Sequence, residues 1–325
     1  MTPPVSVVVL NYNGREWLGP CLTALSAQNG APQYEIVLAD NGSTDGSIDF
    51  VSARFPRIAI VDNRRNLGFA AGNNAGARAA RGDMLVFLNN DTIPAADWLA
   101  RLHAAYASAP SPALVTSKIV FLDRPGVIDS AGDGYLRAGG AFKHAHGLTI
   151  ENAGQSREVF GACGAAFAIG RELFDRLGGF DERFFMVYED VDLSYRARLA
   201  GARCYFAADA VVRHAGSATL GALSAAAVYH GQRNLEWTWI KNTPRGLLLR
   251  SLPAHALYSI SGVLHYIVKN QGAAAVRGKL AAVAGLPQVL AQRRTIQRTR
   301  IADLAAIEKV VDKGWLARKW REKRR

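Results

Sequence analysis

At 325 residues, 49% of them hydrophobic and 20% charged, the chain can bury one large core or two modest ones, which excludes intrinsic disorder and fibrous repeats. Its formal net charge of +12 is unevenly placed: residues 1–200 carry 18 Lys/Arg against 21 Asp/Glu, and the remainder 21 against 6. A slightly acidic front and a strongly basic back point to an anionic partner for the C-terminal part, either a membrane surface or nucleic acid.

The first apolar run, "VSVVVL" (5–10), has no basic residue before it and ends in polar ones, so it reads as a strand and not as a signal peptide. A cytoplasmic location is the expectation. Cys21, Cys163 and Cys204 are odd in number and match no metal-binding spacing, which fits small apolar residues in a reducing compartment. Strand-like runs then alternate with helical segments: 17–28 is helical, 35–39 a strand, 47–54 helical, 58–62 a strand, 68–80 helical, 84–88 a strand and 96–107 helical. This repeat predicts a mainly parallel α/β sheet with right-handed crossovers, helices on both faces and ligands at the carboxyl ends of the strands. Those ends carry "NYNG", "DNGSTD", "NRRNLGFAAGNN" and "NNDT". Four polar clusters on one sheet edge predict a ligand cleft. No Gly-x-Gly-x-x-Gly follows the first strand and no phosphate-loop Lys-Ser/Thr motif occurs, which argues against dinucleotide oxidoreductases and phosphate-loop ATPases.

The stretch from Phe121 to Val159 is less regular and reads as a long crossover or an acceptor-side insertion. A small-residue strand, a short helix to Leu177, an aromatic run and a helix beginning near Glu189 follow. From about Leu220 the chain turns helical, aliphatic and basic, which divides it into an expected catalytic domain (1–220) and a C-terminal region (221–325).

Together, "NLGFAAGNNAG" (66–76), "LNNDT" (88–92), "YEDVDLSYR" (188–196), "VVRHAGSAT" (211–219) and "HGQRNLEW" (230–237) resemble the family-two glycosyltransferases of GT-A fold, within their rhamnosyltransferase-like branch, over about residues 5–235. That fold is Rossmann-like, and the resemblance implies a metal-dependent, inverting transfer of a sugar from a nucleotide-diphosphate donor to a hydroxyl. Leu10, Asn11, Tyr12, Asp40, Asn66, Gly68, Asn73, Asn90 and Arg233 would bind the donor nucleotide. Asp40 would suit a base imide N–H, which needs an acceptor-only partner, and Arg233 the diphosphate, which a guanidinium pairs bidentately. Asp91 and His214 would hold Mg2+ or Mn2+, which neutralises the departing diphosphate. Asn89 stands where the family's Asp-x-Asp motif has its first acid. Asp190 would be the general base, with Glu189, Asp192 and Arg196 on the acceptor side or supporting it. Three carboxylates at a helix start also complement the helix dipole.

The segment 246–268 is aliphatic at helical spacing but interrupted by Arg250, Pro253, His255 and His265, so an in-plane or protein-docked helix is expected ahead of a membrane-spanning one. The tail from Arg293 to Arg325 carries twelve Lys/Arg against four Asp/Glu, with Trp315 and Trp320 between them. Peripheral attachment to an anionic inner membrane face is the expectation. Nucleic acid is not expected as a partner, since no nucleic-acid motif is present and the cleft-bearing front is acidic. The resemblance makes dTDP-rhamnose the donor, with UDP-hexoses as close alternatives, and a lipid-linked or cell-surface glycan the acceptor. Two other classes stay open: a catalytically silent scaffold that binds nucleotide or glycan, and a basic adaptor for membranes or nucleic acid.

Overall fold

The computed structural model describes residues 4–216 and 224–314. The expected boundary at 220/221 and both tail tryptophans, Trp315 and Trp320, lie outside the described residues.

The front follows the expected alternation: β1 (Val5–Asn11), α1 (Arg15–Ser26), β2 (Tyr34–Asp40), α2 (Ser47–Arg54), β3 (Ala59–Asp62), α3 (Gly68–Ala79) and β4 (Met84–Asn89). Next come β5 (Thr92–Pro94), α4 (Trp98–Ser108), β6 (Ala113–Phe121), β7 (Ile128–Ser130), β8 (Asp133–Leu136), β9 (Ala141–Lys143) and β10 (Arg157–Val159). They are followed by β11 (Ala166–Gly170), α5 (Arg171–Arg176), α6 (Glu189–Leu199) and β12 (Arg203–His214). The remainder is α7 (Ala225–Asn242), α8 (Arg245–Val268), α9 (Gly272–Ala284), α10 (Leu286–Arg298), α11 (Leu304–Val310) and β13 (Val311–Asp312).

The main sheet has the order β10-β12-β6-β11-β4-β1-β2-β3, with β5 on β12 and β7 on β6. Alternation within the strands explains why helices cover both faces. Val5, Val7 and Val9 of β1 enter one core with Leu18, Leu22, Leu25 and Trp98, while Val8 enters a second with Ala70, Ala77, Phe167 and Phe180. A strand buried on both sides must be apolar throughout, as "VSVVVL" nearly is. Helix α3 approaches the sheet closely because a Cβ on Gly76 would meet Val8 Cγ1 at 2.5 Å.

The first four long strands are parallel, as expected. The sheet also holds an antiparallel strand, β11, between β4 and β6. The irregular stretch after β6 leaves from the sheet's carboxyl edge and returns to it, so the next strand has to run backwards. That stretch builds β7, β8 and β9, and β13 from the end of the chain adds to β8, so together they form a wall over the carboxyl edge. The three cysteines are buried and free, and burial pushes the Cys21 and Cys204 thiols up to about 12. Helices α7, α9 and α10 pack on one another beside α6.

Candidate functional site

A cleft of about 670 Å³ opens at the carboxyl edge. Leu10, Tyr12, Asn66, Gly68, Asn90, Asp91 and His214 line it, so seven of the residues expected from the sequence converge there. Gly68 has φ +77°, and a Cβ on it would lie 2.5 Å from the Phe185 ring and carbonyl, so only glycine fits. Asn66 accepts from the Gly68 N–H at 2.9 Å and fixes this turn. Asn41, absent from the sequence-based set, donates to the Gly68 carbonyl at 3.0 Å and also lines the cleft.

Several other residues expected at the donor have side chains engaged within the protein, and Asn11 is expected there through its backbone. Asp40 is fully buried, and its carboxylate is taken up by Asn11 Nδ2 (2.8 Å), Ser43 Oγ (2.8 Å) and the Ser43 N–H (2.7 Å). These bonds brace the loop that follows β2. Asn11 is likewise buried and accepts from Asn90 at 2.6 Å, so it supports the cleft from beneath. The Asn73 amide donates to the Phe69 carbonyl one turn back in α3. Arg233 donates to the carbonyls of Arg183 and Phe184 and lies 4.4 Å over the Trp237 ring, away from the cleft lining. Asp192 is fully buried against Arg196 (2.8 Å), Lys241 (2.7 Å) and Asn242 (2.8 Å), and Arg196 caps the carbonyls of Leu177 and Gly179. Asp192 thus orients Arg196, one of the two roles expected of it, and the pair anchors α6.

The floor of the cleft is built by pairing between segments far apart in sequence. Strand β5 pairs antiparallel with β12, with Thr92 opposite His214, and the Ala215 N–H donates to the Asp91 carbonyl at 3.0 Å. This register places His214 Nε2 3.3 Å from Asp91 Oδ1. On the far side of the ring, His214 Nδ1 meets Asp129 Oδ2 at 2.8 Å. A ring that donates from Nδ1 to a carboxylate keeps its Nε2 lone pair free, the arrangement that orients metal-binding histidines. Carboxylate oxygen and imidazole nitrogen converging on one point form a donor set suited to Mg2+ or Mn2+. With both carboxylates present, burial works against a charged imidazole, yet the hydrogen bonds to Asp129 and Asp91 raise its pKa to about 9.

Sequence reasoning missed Asp129, Lys143 and His146, which also line the cleft. Lys143 Nζ lies 2.7 Å from Asp129 Oδ1, and His146 Nδ1 lies 2.7 Å from the Asp129 carbonyl. Burial alone would raise the Asp129 carboxyl, but hydrogen bonds from His146, His214 and Lys143 hold it well below the usual carboxylate range. The available signal was the run of Asp, Lys and His within a glycine-rich insertion.

A second lobe of about 360 Å³ shares Phe69, Asn89, Lys143, Met186 and His214 with the first. Glu189, Asp190, Asp133 and Cys163 line it. Tyr188, in left-handed conformation (φ +78°), turns the chain into α6. Asp190 Oδ2 accepts from the Gly164 N–H and Oδ1 from the Val191 N–H, each at 2.8 Å. Burial raises this carboxyl, while the two backbone donors favour its charged form. Glu189 is pushed well above the usual range by burial and by Asp190, and its Oε2 has no partner among the described residues. The cleft thus has an acidic, histidine-bearing corner suited to a cation and, across a shared wall, a fixed carboxylate able to take a proton.

Comparison with known proteins bears on the family and the fold. The model of a family described as "Glycosyl transferase family 2" matches residues 6–178. An O-antigen biosynthesis protein, RfbC, of Myxococcus xanthus is 29% identical over 228 residues, covering 67% of this chain and 18% of that protein. The N-acetylglucosaminyl-diphospho-decaprenol L-rhamnosyltransferase of Mycobacterium tuberculosis is 28% identical over 240 residues, covering 66% of this chain and 76% of the relative. Among solved structures, a mannosyltransferase from Pyrobaculum calidifontis in complex with GDP-Man and Mn2+ superposes with TM-score 0.54 at 21% identity, covering 95% of this chain and 87% of the other. The chain spans only about a quarter or less of the length of several of the curated relatives it matches. The fold is GT-A.

Proposed function

The chain belongs to glycosyl transferase family 2, and from that membership we propose that it moves a sugar, with inversion, from a nucleotide-diphosphate donor to a hydroxyl of a lipid-linked or cell-surface glycan. The observation that carries this reading is the wall shared by the Asp91–His214 corner and the Asp190 lobe, which would hold leaving group and attacking group side by side.

Leu10, Tyr12, Asn66, Gly68 and Asn90 hold the nucleotide end of the donor. Asp91 and His214 would hold Mg2+ or Mn2+, which when bound neutralises the diphosphate. Asp190 takes the proton of the acceptor hydroxyl as its oxygen forms a bond to the anomeric carbon. The bond from that carbon to the phosphate oxygen breaks, and the nucleoside diphosphate leaves with the electron pair. Attack from the face opposite the leaving group inverts the anomeric centre and needs no covalent nucleophile. A general base of this kind contributes roughly 10²- to 10⁴-fold. The name of the mycobacterial relative favours a rhamnosyl donor, which here would be dTDP-rhamnose, with UDP-hexoses as the alternative.

The C-terminal helices support attachment to a membrane surface. Helix α8 is long and apolar enough to cross a bilayer by length and composition alone. However, its Leu247, Ser251 and His255 are buried, and His255 stacks on Trp239 with ring centroids 3.6 Å apart. The opposite stripe, with Leu257, Ile260 and Leu264, is more than half exposed and continues onto Leu280 and Val283 of α9. One docked face and one apolar exposed face, with a basic tail beyond, suit a helix lying in the plane of an anionic bilayer.

The test is a panel of UDP- and dTDP-sugars scored for protection against thermal unfolding with Mg2+ or Mn2+, followed by turnover of the best ligand. Asp190→Asn should lose transfer and keep nucleotide binding. Protection by none of the panel, or unchanged transfer by the variant, would overturn the assignment. Co-sedimentation with phosphatidylserine vesicles should fall when Leu257, Ile260 and Leu264 become Gln, and an unchanged bound fraction would remove the membrane reading.

A further inference from the structure

Asp133 is the one carboxylate of the acceptor lobe that the sequence motifs do not touch. It opens β8, its backbone exchanges hydrogen bonds with Gly161 (2.9 and 3.0 Å), and its side chain is buried. Its cross-strand neighbour in β9 is Lys143, but that ammonium group is committed to Asp129 Oδ1 at 2.7 Å. Asp133 Oδ1 consequently has no hydrogen-bond partner among the described residues. A buried polar atom left unmatched carries its full desolvation cost, so native proteins keep such atoms where a ligand or water completes them.

The position supplies the ligand's chemistry. An oxygen of Asp133, an oxygen of Asp190 and Cys163 Sγ all lie within 4.8 Å of one another, facing the same lobe. Hydrogen bonds from hydroxyls to carboxylates run about 2.5–2.7 Å, so neighbouring hydroxyls on one ring can reach both carboxyls together. Burial pushes the Cys163 thiol up, so the oxygen acceptors of this cluster are the two carboxyls. Asp190 is held by two backbone N–H groups, whereas Asp133 is crowded by it.

We propose that Asp133 selects and positions the acceptor by holding the hydroxyl next to the attacking one, so that the acceptor is a sugar with two adjacent free hydroxyls. This rests on the transferase reading. Asp133 is a positioning residue in it: the proton of the attacking hydroxyl still goes to Asp190.

The experiment uses the full chain, the nucleotide sugar that protects it best, and methyl glycopyranosides as acceptor probes, each matched with its mono-deoxy counterparts. Wild type should discriminate at least tenfold in kcat/KM against the probe lacking the neighbouring hydroxyl. Asp133→Ala should reduce that ratio to within twofold by raising KM for the diol probe, with donor affinity by calorimetry unchanged. Asp133→Asn should melt no lower than wild type, because it removes the charge of a crowded carboxyl whose Oδ1 has no partner among the described residues, a result that a structural role would not give. Wild type indifferent to the missing hydroxyl, Asp133→Ala retaining the discrimination, or Asp133→Asn melting lower with unchanged acceptor KM would each overturn the proposal. A wild-type chain that turns over no nucleotide sugar removes the transferase reading and this inference with it. Turnover with preference unchanged in Asp133→Ala removes only the role of Asp133.

Discussion

Replacing Asp129 by asparagine exchanges one oxygen for an amide nitrogen at a site outside the expected metal ligands, but the consequence for those ligands is large. The two carboxylate oxygens serve different donors: Oδ1 faces Lys143 Nζ at 2.7 Å and Oδ2 faces His214 Nδ1 at 2.8 Å. An asparagine has one oxygen for two donors. Lysine ammonium can only donate, whereas an imidazole can exchange its tautomer, so the oxygen turns to Lys143 and the amide NH2 faces His214. Nδ1 then becomes the acceptor, Nε2 carries the proton, and the lone pair aimed at the Asp91 side is lost. Changing the carboxylate behind a ligating histidine typically costs 10- to 100-fold in metal affinity, and a forced tautomer places Asp129→Asn at the upper end, about 2.7 kcal/mol. Calorimetric titration of Mn2+ in the presence of the preferred nucleotide diphosphate reads this directly. The same argument requires that Lys143→Met, added to Asp129→Asn, return much of the affinity, because the asparagine oxygen is then free to face His214. Affinity within twofold of wild type in the single variant, or no recovery in the double, would refute the reasoning.

The remaining predictions concern the frame around the cleft. Gly68→Ala should cost about 1–3 kcal/mol by urea unfolding, since its φ of +77° and the 2.5 Å approach to Phe185 both exclude a side chain. Lys241→Met should cost about 3–5 kcal/mol in the same assay, because the buried ammonium lies 2.7 Å from both Asp181 and Asp192 and its loss leaves buried charge short of a partner. Glu236 is opposed by burial but held down by His255 and Lys279, to about 2 from an ordinary 4.5. A depressed carboxyl adds stability above its unfolded pKa and loses it as pH falls toward the folded one. At about 1.4 kcal/mol per pH unit, up to about 3 kcal/mol disappears across that window. The stability gap between wild type and Glu236→Gln should therefore shrink between pH 5 and pH 2.5, and a constant gap would count against the pairing.

What could be read from the sequence follows from how local each signal is. Strands β1, β2 and β4 carry apolar runs long enough to show themselves, and Asn66, Gly68, Asn90 and Asp91 sit at strand ends or turns that the runs locate. Asp129, Asp133 and Lys143 lie in strands of three or four residues, too short for periodicity, and long-range pairs such as Ile119 with Ser130 and Asp133 with Gly161 position them. Asp40 and Arg233 show the reverse case. Their chemistry suits a nucleotide, but the sequence does not show that Ser43, Asn11 and the Phe184 carbonyl engage them as well.

The same competition bears on what the missing acid at Asn89 would mean for the proposed ion site. Asn89 lines both lobes, but its backbone is spoken for: its N–H donates to the Ala165 carbonyl and its carbonyl accepts from Thr92 Oγ1. Its amide brings no charge to the corner where the family's motif has a carboxylate. The second negative charge comes instead from Asp129, through the His214 ring, so it acts by holding and polarising a ligand. Lys143 and His146 draw on the same carboxylate from its other side, which weakens its pull on the imidazole. A corner with one direct carboxylate, one polarised imidazole and two nearby cationic or ionisable donors would hold a divalent cation poorly by itself and better once diphosphate oxygens joined it. On this reading, loading of the metal is coupled to the donor through residues 129–146, the part of the chain whose sequence offered the least regular pattern.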